Sequence, residues 1–191
     1  MLKLLLYSRV VTSFLFCICR CFFPSCYLKG KFFEEKRMGY LWALKSVPRL
    51  LYLRRQKVKW PVGKSTIVLG GDKIKFDNSS INVFQQSGCY FQAFERIEIG
   101  RDVWIGPNTG IITANHKLTN PELHEDGKPV VIHDKVWIGM NSVILPGVEL
   151  GPHVVVGAGS IVTKSYPDGW CVIAGNPAKI IKTIKHEDIA L

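Results

Sequence analysis

A six-residue period in the second half of the chain restricts its fold more than any other feature. Aliphatic residues occupy every sixth position in this stretch, at Ile138, Ile144, Leu150, Val156 and Val162. An earlier run has the same spacing, at Ile99, Ile105 and Ile111. A period of six matches neither an α-helix nor a simple strand, but it fits a β-helix whose coils each contain three short strands. Glycines directly after several of these positions suit the coil corners. The sequence therefore predicts a mainly β protein built as a parallel β-helix.

The net positive charge belongs to the first third of the chain. Residues 1–64 contain 14 Lys and Arg against Glu34 and Glu35, a net charge of +12, whereas residues 65–191 contain 11 against 13, a net charge of −2. A protein body that binds nucleic acid would be expected to carry a basic stripe across its working face. We therefore predict no nucleic-acid partner, and we expect the basic segment to meet an anionic surface.

The chain divides into three segments. Residues 1–64 are predicted to be helical and basic, residues 65–177 to form the β-helix, and residues 178–191 to form a short helical tail. Between residues 67 and 84 the sequence already has a β-like pattern. The period fails over residues 117–130, a polar stretch with Pro121 and Gly127. We expect this stretch to be a loop that leaves one coil, and such loops on rigid scaffolds commonly carry function.

Residues 3–28 are strongly apolar and predicted to be helical. The uncharged run at residues 10–19 is too short to span a bilayer, and Arg9 and Arg20 interrupt the pattern of a signal peptide. Two interpretations stay open. The segment lies in the inner surface of the cytoplasmic membrane, or it packs against a neighbouring subunit or the open end of the β-helix. The predicted location is cytoplasmic, and peripheral at that membrane surface under the first interpretation.

Four of the six cysteines stand in this apolar stretch, at Cys17, Cys19, Cys21 and Cys26. Their spacing is not that of a secreted disulfide framework. Their aromatic and aliphatic neighbours favour reduced thiols that behave as small hydrophobic side chains over a zinc site. No metal is expected.

One histidine stands where the interrupted coil opens. His116 follows Thr113, Ala114 and Asn115 at the root of the predicted loop. Transfer of an acyl group to a hydroxyl needs a base to accept the hydroxyl proton, and imidazole suits that role near neutral pH. A lone histidine is more often structural, but its position at the root of the insertion makes His116 the candidate base.

The stretch from about residue 97 to 182 resembles the hexapeptide-repeat O-acetyltransferases, which have a left-handed β-helix. Within them it is most similar to the enzymes of capsular, exopolysaccharide and lipopolysaccharide biosynthesis. The segments that carry the resemblance are residues 105–108, 112–116, 124, 127–130, 136–141, 144–147, 157–160, 162–164 and 174–179. Together they are specific for acetyl-CoA-dependent transfer, and much less specific for the acceptor.

The resemblance implies a homotrimer with acetyl-CoA in the groove between neighbouring solenoids and His116 as the catalytic base. The cofactor-binding residues that it implies are Trp137 near the reacting end, Met140, Ala158, Gly159 and Ser160 along the pantetheine arm, and Thr163, Lys164, Lys179 and Lys182 at the adenine and phosphate end. Asn115 and His124 are expected to contact the acceptor. Gln86 stands where the sugar acetyltransferases usually have an asparagine, and it is also expected to contact the acceptor.

The expected function is direct transfer of acetyl from acetyl-CoA to a sugar hydroxyl of a surface polysaccharide or its precursor. The alternative is a small acceptor, such as serine or an amino sugar. Serine acetyltransferases usually carry a larger helical domain than residues 1–64 could form. A metal-dependent hydrase is disfavoured because His116, His124 and His133 fall at unrelated phases of the period, whereas a catalytic zinc needs converging ligands. A non-catalytic trimeric scaffold would not need His116.

Overall fold

Three mainly parallel sheets form the sides of a triangular solenoid in the computed structural model, which describes residues 8–185. Sheet A consists of β1 (Ile67–Leu69), β3 (Tyr90–Gln92), β6 (Gly110–Ile112), β11 (Val143–Ile144) and β14 (Ile161–Val162). Sheet B consists of β2 (Ile74–Phe76), β4 (Ile97–Ile99), β9 (Val130–Ile132) and β12 (Glu149–Leu150). Sheet C consists of β5 (Trp104–Ile105), β10 (Trp137–Ile138), β13 (Val155–Val156), β15 (Cys171–Gly175) and β16 (Ala178–Thr183).

The chain passes from sheet A to sheet B to sheet C and then starts the next coil. We name the three edges of the solenoid after the sheets that they join. The AB edge contains residues 93–96, 113–129, 145–148 and 163–165; the BC edge contains residues 100–103, 133–136, 151–154 and 167–170; the CA edge contains residues 86–89, 106–109, 139–142 and 157–160. Equivalent positions of successive coils lie directly above one another, as Val143 of β11 pairs with Gly110 of β6 and Ile161 of β14.

The residues of the six-residue period fill the interior of the solenoid. Ile138, Ile144, Leu150, Val156 and Val162 are all buried. Each strand places one of them inward while its neighbour in the chain faces outward. The predicted β-helix core is thus confirmed, and its stability comes from aliphatic side chains removed from water in every coil.

The first coil departs from the strand pattern on its third side. Residues 78–85 form a 3₁₀-helix (Asn78–Gln85) instead of the expected strand, and the Asp77 carboxylate caps it by accepting a hydrogen bond from the Ser79 N–H at 2.8 Å. Ile81, Val83 and Phe84 are nevertheless buried. Apolar residues in a short run indicate burial but do not distinguish a strand from a helix.

The N-terminal segment is helical, as predicted. Its helices are α1 (Arg9–Arg20), α2 (Lys31–Glu34), α3 (Gly39–Ser46) and α4 (Leu50–Arg55), with short 3₁₀-helices at Ser25–Tyr27, Val47–Arg49 and Gly71–Lys73. The expected helix over residues 3–28 is therefore shorter in the structure, and residues 3–7 lie outside the described part of the chain. None of the helices between residues 8 and 185 has the length and apolar character that a bilayer crossing needs.

An aromatic cluster covers the N-terminal end of the solenoid. The fully buried Trp60 packs against Phe76 and Phe84, with ring centroids 4.9 and 5.1 Å apart, and Phe84 packs in turn against Phe91 at 4.9 Å. An open coil would expose apolar side chains and unpaired strand edges at this end. The cover comes from the segment around Trp60, while α1 packs against α3.

The predicted helical tail is wrong where the structure describes it. Residues 178–183 form β16, which pairs antiparallel with β15 through Ala178–Gly175 and Lys182–Val172. The pairing supplies β15 with backbone hydrogen-bond partners on its outer edge, a gain that an isolated short helix could not offer. Residues 186–191 of the predicted tail lie outside the described residues.

The expected loop over residues 117–130 contains a β-hairpin. Its strands are β7 (His116–Lys117) and β8 (Asn120–His124), paired antiparallel, and it leaves the solenoid at the AB edge of the third coil. The hairpin interrupts the period without shifting it, because β9 returns to its place in sheet B between β4 and β12.

Glycine is required where successive coils approach most closely. A Cβ at Gly151 would lie 2.1 Å from the Pro167 carbonyl oxygen and 2.6 Å from the Gly169 nitrogen, whereas a Cβ at Gly110 would make ordinary contacts of 3.6 Å with Val143. We predict that Gly151→Ala destabilises the fold by about 1–3 kcal/mol. Gly110→Ala should change stability by less than about 0.5 kcal/mol. Urea unfolding followed by circular dichroism measures both, and equal stabilities would contradict the close approach.

Candidate functional site

The hairpin at the AB edge is closed at its base by backbone hydrogen bonds. The Lys128 N–H donates to the Thr113 carbonyl at 2.7 Å, and the Glu125 N–H donates to the Asn115 carbonyl at 2.8 Å. His116 lies just beyond this closure, in β7, with its side chain exposed. His116 belongs to the inserted hairpin, but these backbone bonds hold the base of the hairpin to the coil. The side chain of the candidate base therefore faces solvent from a fixed position.

Gln92 and Thr113 anchor the turn that leads to His116. The Gln92 side-chain oxygen accepts hydrogen bonds from the N–H groups of Thr113 and Ala114, at 3.3 and 3.1 Å. The buried Thr113 hydroxyl donates to the Gln92 carbonyl at 2.8 Å and accepts from the Glu95 N–H at 2.9 Å. Sequence reasoning missed Gln92. The strand register could have indicated it, because Gln92 lies one coil before Ile112 and pairs with it in sheet A.

His124 lies beside His116. The two residues face each other across β7 and β8, and their ring centroids are 4.2 Å apart with planes tilted by 35°. The Phe94 ring stands at 82° to the His124 ring, with 5.4 Å between centroids. The structure thus brings His116, the predicted base, together with His124, a predicted acceptor residue. The exposed Asn115 precedes His116. The sequence did not indicate Phe94 as a neighbour of this pair.

The predicted pantetheine residues lie at the CA edge. Met140, Ala158 and Gly159 are exposed at the turns that follow β10 and β13, and the Met140 carbonyl accepts a hydrogen bond from the Gly159 N–H at 2.8 Å. A Cβ added at Gly159 would meet no atom within 4 Å. This part of the edge is therefore open and lined by backbone groups, which suits an extended ligand.

Ser160 is buried behind this edge. Its hydroxyl donates to the Gly157 carbonyl at 2.6 Å and accepts from the Gly175 N–H at 3.2 Å. The first bond lies within one turn and the second joins neighbouring coils, so the hydroxyl stabilises the solenoid itself. Gln86, predicted to contact the acceptor, lies half-buried at the same CA edge, where it follows the 3₁₀-helix of the first coil.

The outer surface of sheet C carries two exposed tryptophans. Trp137 and Trp104 are direct partners in β10 and β5, and 57% and 43% of their surfaces are exposed. With Lys135 and Val136 they line an open recess of about 370 Å³. Trp137 was predicted from sequence and Trp104 was not, although its place one coil before Trp137 follows from the register.

The remaining predicted residues occupy the C-terminal coils. Thr163 and Lys164 are exposed at the AB edge, and Lys179 and Lys182 are exposed on β16 beside sheet C.

In one chain, sheet A separates the His116 hairpin from the CA edge. At about 3.3 Å per extended residue, the five steps along the chain from Met140 to Leu145 span on the order of 15 Å. A single chain therefore does not bring His116 to the predicted pantetheine residues.

The solenoid cysteines are poor nucleophiles. Cys89 and Cys171 are buried, and desolvation raises the pKa of both thiols above the ordinary value. A nucleophilic cysteine needs a lowered pKa, because the thiolate is the reactive form. The described residues also contain no group of three or more His, Cys, Asp or Glu side chains arranged to hold a metal ion.

Comparisons with known proteins identify the repeat. Residues 129–164 match the family described as bacterial transferase hexapeptide (six repeats). The Escherichia coli protein WbbJ, provisionally assigned as a lipopolysaccharide biosynthesis O-acetyl transferase, is 37% identical over 123 residues, which are 58% of this chain and 60% of that protein. The chain spans about half the length of the first curated relatives that it matches, 51% and 48%.

Two solved structures are similar over nearly the whole chain. A maltose O-acetyltransferase from Clostridium difficile 630 is 29% identical with a TM-score of 0.56, covering 96% of this chain and 90% of that one. The hexapeptide-repeat acetyltransferase VCA0836 from Vibrio cholerae, solved in complex with acetyl coenzyme A, is 26% identical with a TM-score of 0.60, covering 94% and 91%. The repeat and the structural likeness confirm the left-handed parallel β-helix and the resemblance to hexapeptide-repeat acetyltransferases.

Proposed function

We propose that this chain, which carries the solenoid of the hexapeptide-repeat acetyltransferases, transfers acetyl from acetyl-CoA to a sugar hydroxyl of a surface polysaccharide or its precursor. The observation that carries the proposal is the exposed His116, held at the root of the hairpin by the Thr113 and Gln92 hydrogen bonds. The names of the similar proteins support a sugar acceptor and acetyl-CoA as the donor.

The reaction is a direct transfer. The His116 imidazole accepts the proton of the sugar hydroxyl as its oxygen attacks the thioester carbonyl, forming the new C–O bond. The tetrahedral oxyanion collapses, the C–S bond breaks, and the leaving CoA sulfur takes the proton back from the imidazolium. Backbone N–H groups at the coil edge would stabilise the oxyanion. No acyl-enzyme is needed, which agrees with the raised pKa of the buried Cys89 and Cys171 thiols.

The CA edge suits the donor. The Met140 carbonyl and the Gly159 N–H bond to each other between coils. The remaining backbone groups at Met140, Ala158 and Gly159 recur at the coil spacing of about 4.8 Å, so they can pair with the amides of an extended pantetheine arm. The exposed ammonium groups of Lys179 and Lys182, beside sheet C, complement phosphates. Thr163 and Lys164 lie at the AB edge, so they would contact the phosphate end of the donor from a neighbouring copy of the chain. Trp137 would contact the end near the reacting carbonyl.

We propose a homotrimer, because two outer faces of the solenoid are apolar and one is charged. Sheet A presents Ile112, Val143 and Ile161, and sheet C presents Trp104, Trp137, Val155 and Val172. Sheet B instead presents Lys75, Glu98, Val131 and Glu149 in one row. Packing sheet A of one copy against the Val155 and Val172 part of sheet C of the next covers apolar surface on both, while Trp104 and Trp137 border the cleft between the copies. A closed ring needs such a head-to-tail contact. It would also bring His116 of one copy towards the donor edge of another.

His116→Ala tests the chemistry. We expect turnover to fall by about 10²- to 10⁴-fold, because the variant lacks the base that accepts the hydroxyl proton. The Kd for acetyl-CoA, measured by calorimetry, should stay nearly unchanged. His133→Ala is the control: His133 contacts Glu149 at 2.8 Å near the BC edge, away from the hairpin, and this variant should keep most of its turnover. Unaltered turnover in His116→Ala would refute the assigned role.

Val143→Lys tests the assembly. A lysine at this position of sheet A would stand between Gly110 and Ile161, with no acidic partner in the row, and would have to be desolvated in a subunit interface. We expect light scattering to show a monomer. The control is Val131→Lys on sheet B, where the lysine would lie between Glu98 and Glu149 and the trimer should persist. A trimeric Val143→Lys, or a monomeric unmodified protein, would contradict the proposed interface.

We further propose that α1 brings the enzyme to the inner face of the cytoplasmic membrane. One side of α1 packs on the protein through Cys19, while Val10 and Phe14, four residues apart on another side, are 79% and 65% exposed. Arg9 and Arg20 flank them, in a segment whose net charge is +12. An apolar helix face bordered by cations is typical of peripheral binding to anionic lipid.

Phe14→Asp tests the membrane contact. Co-sedimentation with vesicles containing phosphatidylglycerol should fall strongly in this variant, because a carboxylate would enter the apolar region of the bilayer surface. Ile181→Asp makes the same kind of change on β16, where Ile181 is 66% exposed, and should bind the vesicles as the unmodified protein does. Equal binding to vesicles of phosphatidylcholine alone, or no loss in Phe14→Asp, would contradict the proposal.

A further inference from the structure

Trp104 is a large exposed aromatic residue without a role in the reaction described so far. It lies on the outer face of sheet C, directly beside Trp137, with 43% of its surface exposed. The recess of about 370 Å³ that the two indoles share with Lys135 and Val136 opens to solvent. Burying an indole in the core would remove apolar surface from water, so an exposed pair bordering a recess indicates a surface that meets another molecule.

The N-terminal segment braces the Trp104 ring. The buried Phe32 of α2 meets it edge to face, with 6.4 Å between centroids, and the Lys36 ammonium lies 5.6 Å from its centroid. Lys31 of the same helix forms an ion pair with Asp102, two residues before Trp104. The contacts with Phe32 and Lys36 restrict the Trp104 indole from the side of α2, while its side towards Trp137 borders the recess.

The donor residues assigned under the proposed function all lie at or beyond the coil of Trp137. Met140 follows Trp137, Ala158 and Gly159 lie one coil later, and Lys179 and Lys182 lie later still. An acetyl-CoA molecule held there extends from the reacting centre towards the C-terminal end. The acceptor therefore has to approach from the opposite direction, where β5 and Trp104 form the adjacent strand.

We propose that Trp104 is an acceptor-binding residue on which a pyranose ring of the sugar stacks. This inference rests on the proposed function and assigns its specificity: a ring with an apolar C–H face is recognised, and a small acyclic hydroxyl compound is not. A flat indole buries one face of such a ring at low entropic cost, since Phe32 and Lys36 already restrict its rotation. The strand spacing of about 4.8 Å between Trp104 and Trp137 holds the ring next to the reacting end of the donor.

The test is steady-state kinetics of Trp104→Ala with methyl galactoside and maltose as acceptors. We expect the KM for the sugar to rise about tenfold, the equivalent of a stacking contact of roughly 1.4 kcal/mol, while the KM for acetyl-CoA stays unchanged. Trp104→Phe keeps an aromatic face and should recover most of the loss. Trp137→Ala should show the opposite pattern, with a raised KM for acetyl-CoA.

Glycerol serves as an acceptor without a ring. An equal loss with glycerol and with the sugars would mean that Trp104→Ala disturbs the structure in general, and it would overturn the inference. An unchanged sugar KM would also overturn it, while leaving the proposed acetyl transfer intact. If the unmodified protein acetylates no sugar, the proposed function fails instead. Saturation-transfer NMR of methyl galactoside with the unmodified protein and with Trp104→Phe and Trp104→Ala then still measures whether Trp104 binds the ring.

Discussion

The close stacking of successive coils is the constraint on which the rest of the structure depends. Backbone N–H groups at the edges donate to carbonyls of the next coil, from Gly106 to Ile138 at 2.8 Å and from Gly139 to Val156 at 2.7 Å. A side chain at Gly151 would collide with the neighbouring backbone, so the edges need glycine. Because the coils repeat at a fixed spacing, outward residues at equivalent positions form columns. The open CA edge and the Trp104–Trp137 pair are such columns. A column of this kind offers an extended molecule contacts that recur at the coil spacing.

The candidate chemistry lies where the repeat is interrupted. The hairpin carries His116 out of the third coil, but its root is held by Thr113 and by Gln92 of the coil below. A base in a mobile loop would sample many positions, whereas these hydrogen bonds hold the turn before His116 in a single conformation. A general base has to be held in a fixed position, and the coil fixes the turn that precedes His116.

The N-terminal segment serves the solenoid in more than one way. The region around Trp60 closes the open end of the core, α2 braces the indole of Trp104, and α1 leaves Val10 and Phe14 exposed beside arginines. The charge is segregated accordingly, with +12 in residues 1–64 and −2 in the remainder. The positive charge is thus confined to the N-terminal segment, and the solenoid is nearly neutral.

The six-residue period determined which side chains face inward, since Ile138, Leu150 and Val162 are buried as predicted. The roles that the resemblance implies for His116 and for the coil edges stay predictions. The tertiary structure alone decided the rest. Residues 178–183 became a strand because β15 offered hydrogen-bond partners, which local pattern does not reveal. Gln92 and Trp104 gained their neighbours through coil stacking, between residues about 20 to 33 positions apart. The period determines only whether a residue faces inward or outward. Which outward residues meet depends on the register of the strands and on the edges, and the proposed contact of His116 with the CA edge would need a second copy of the chain.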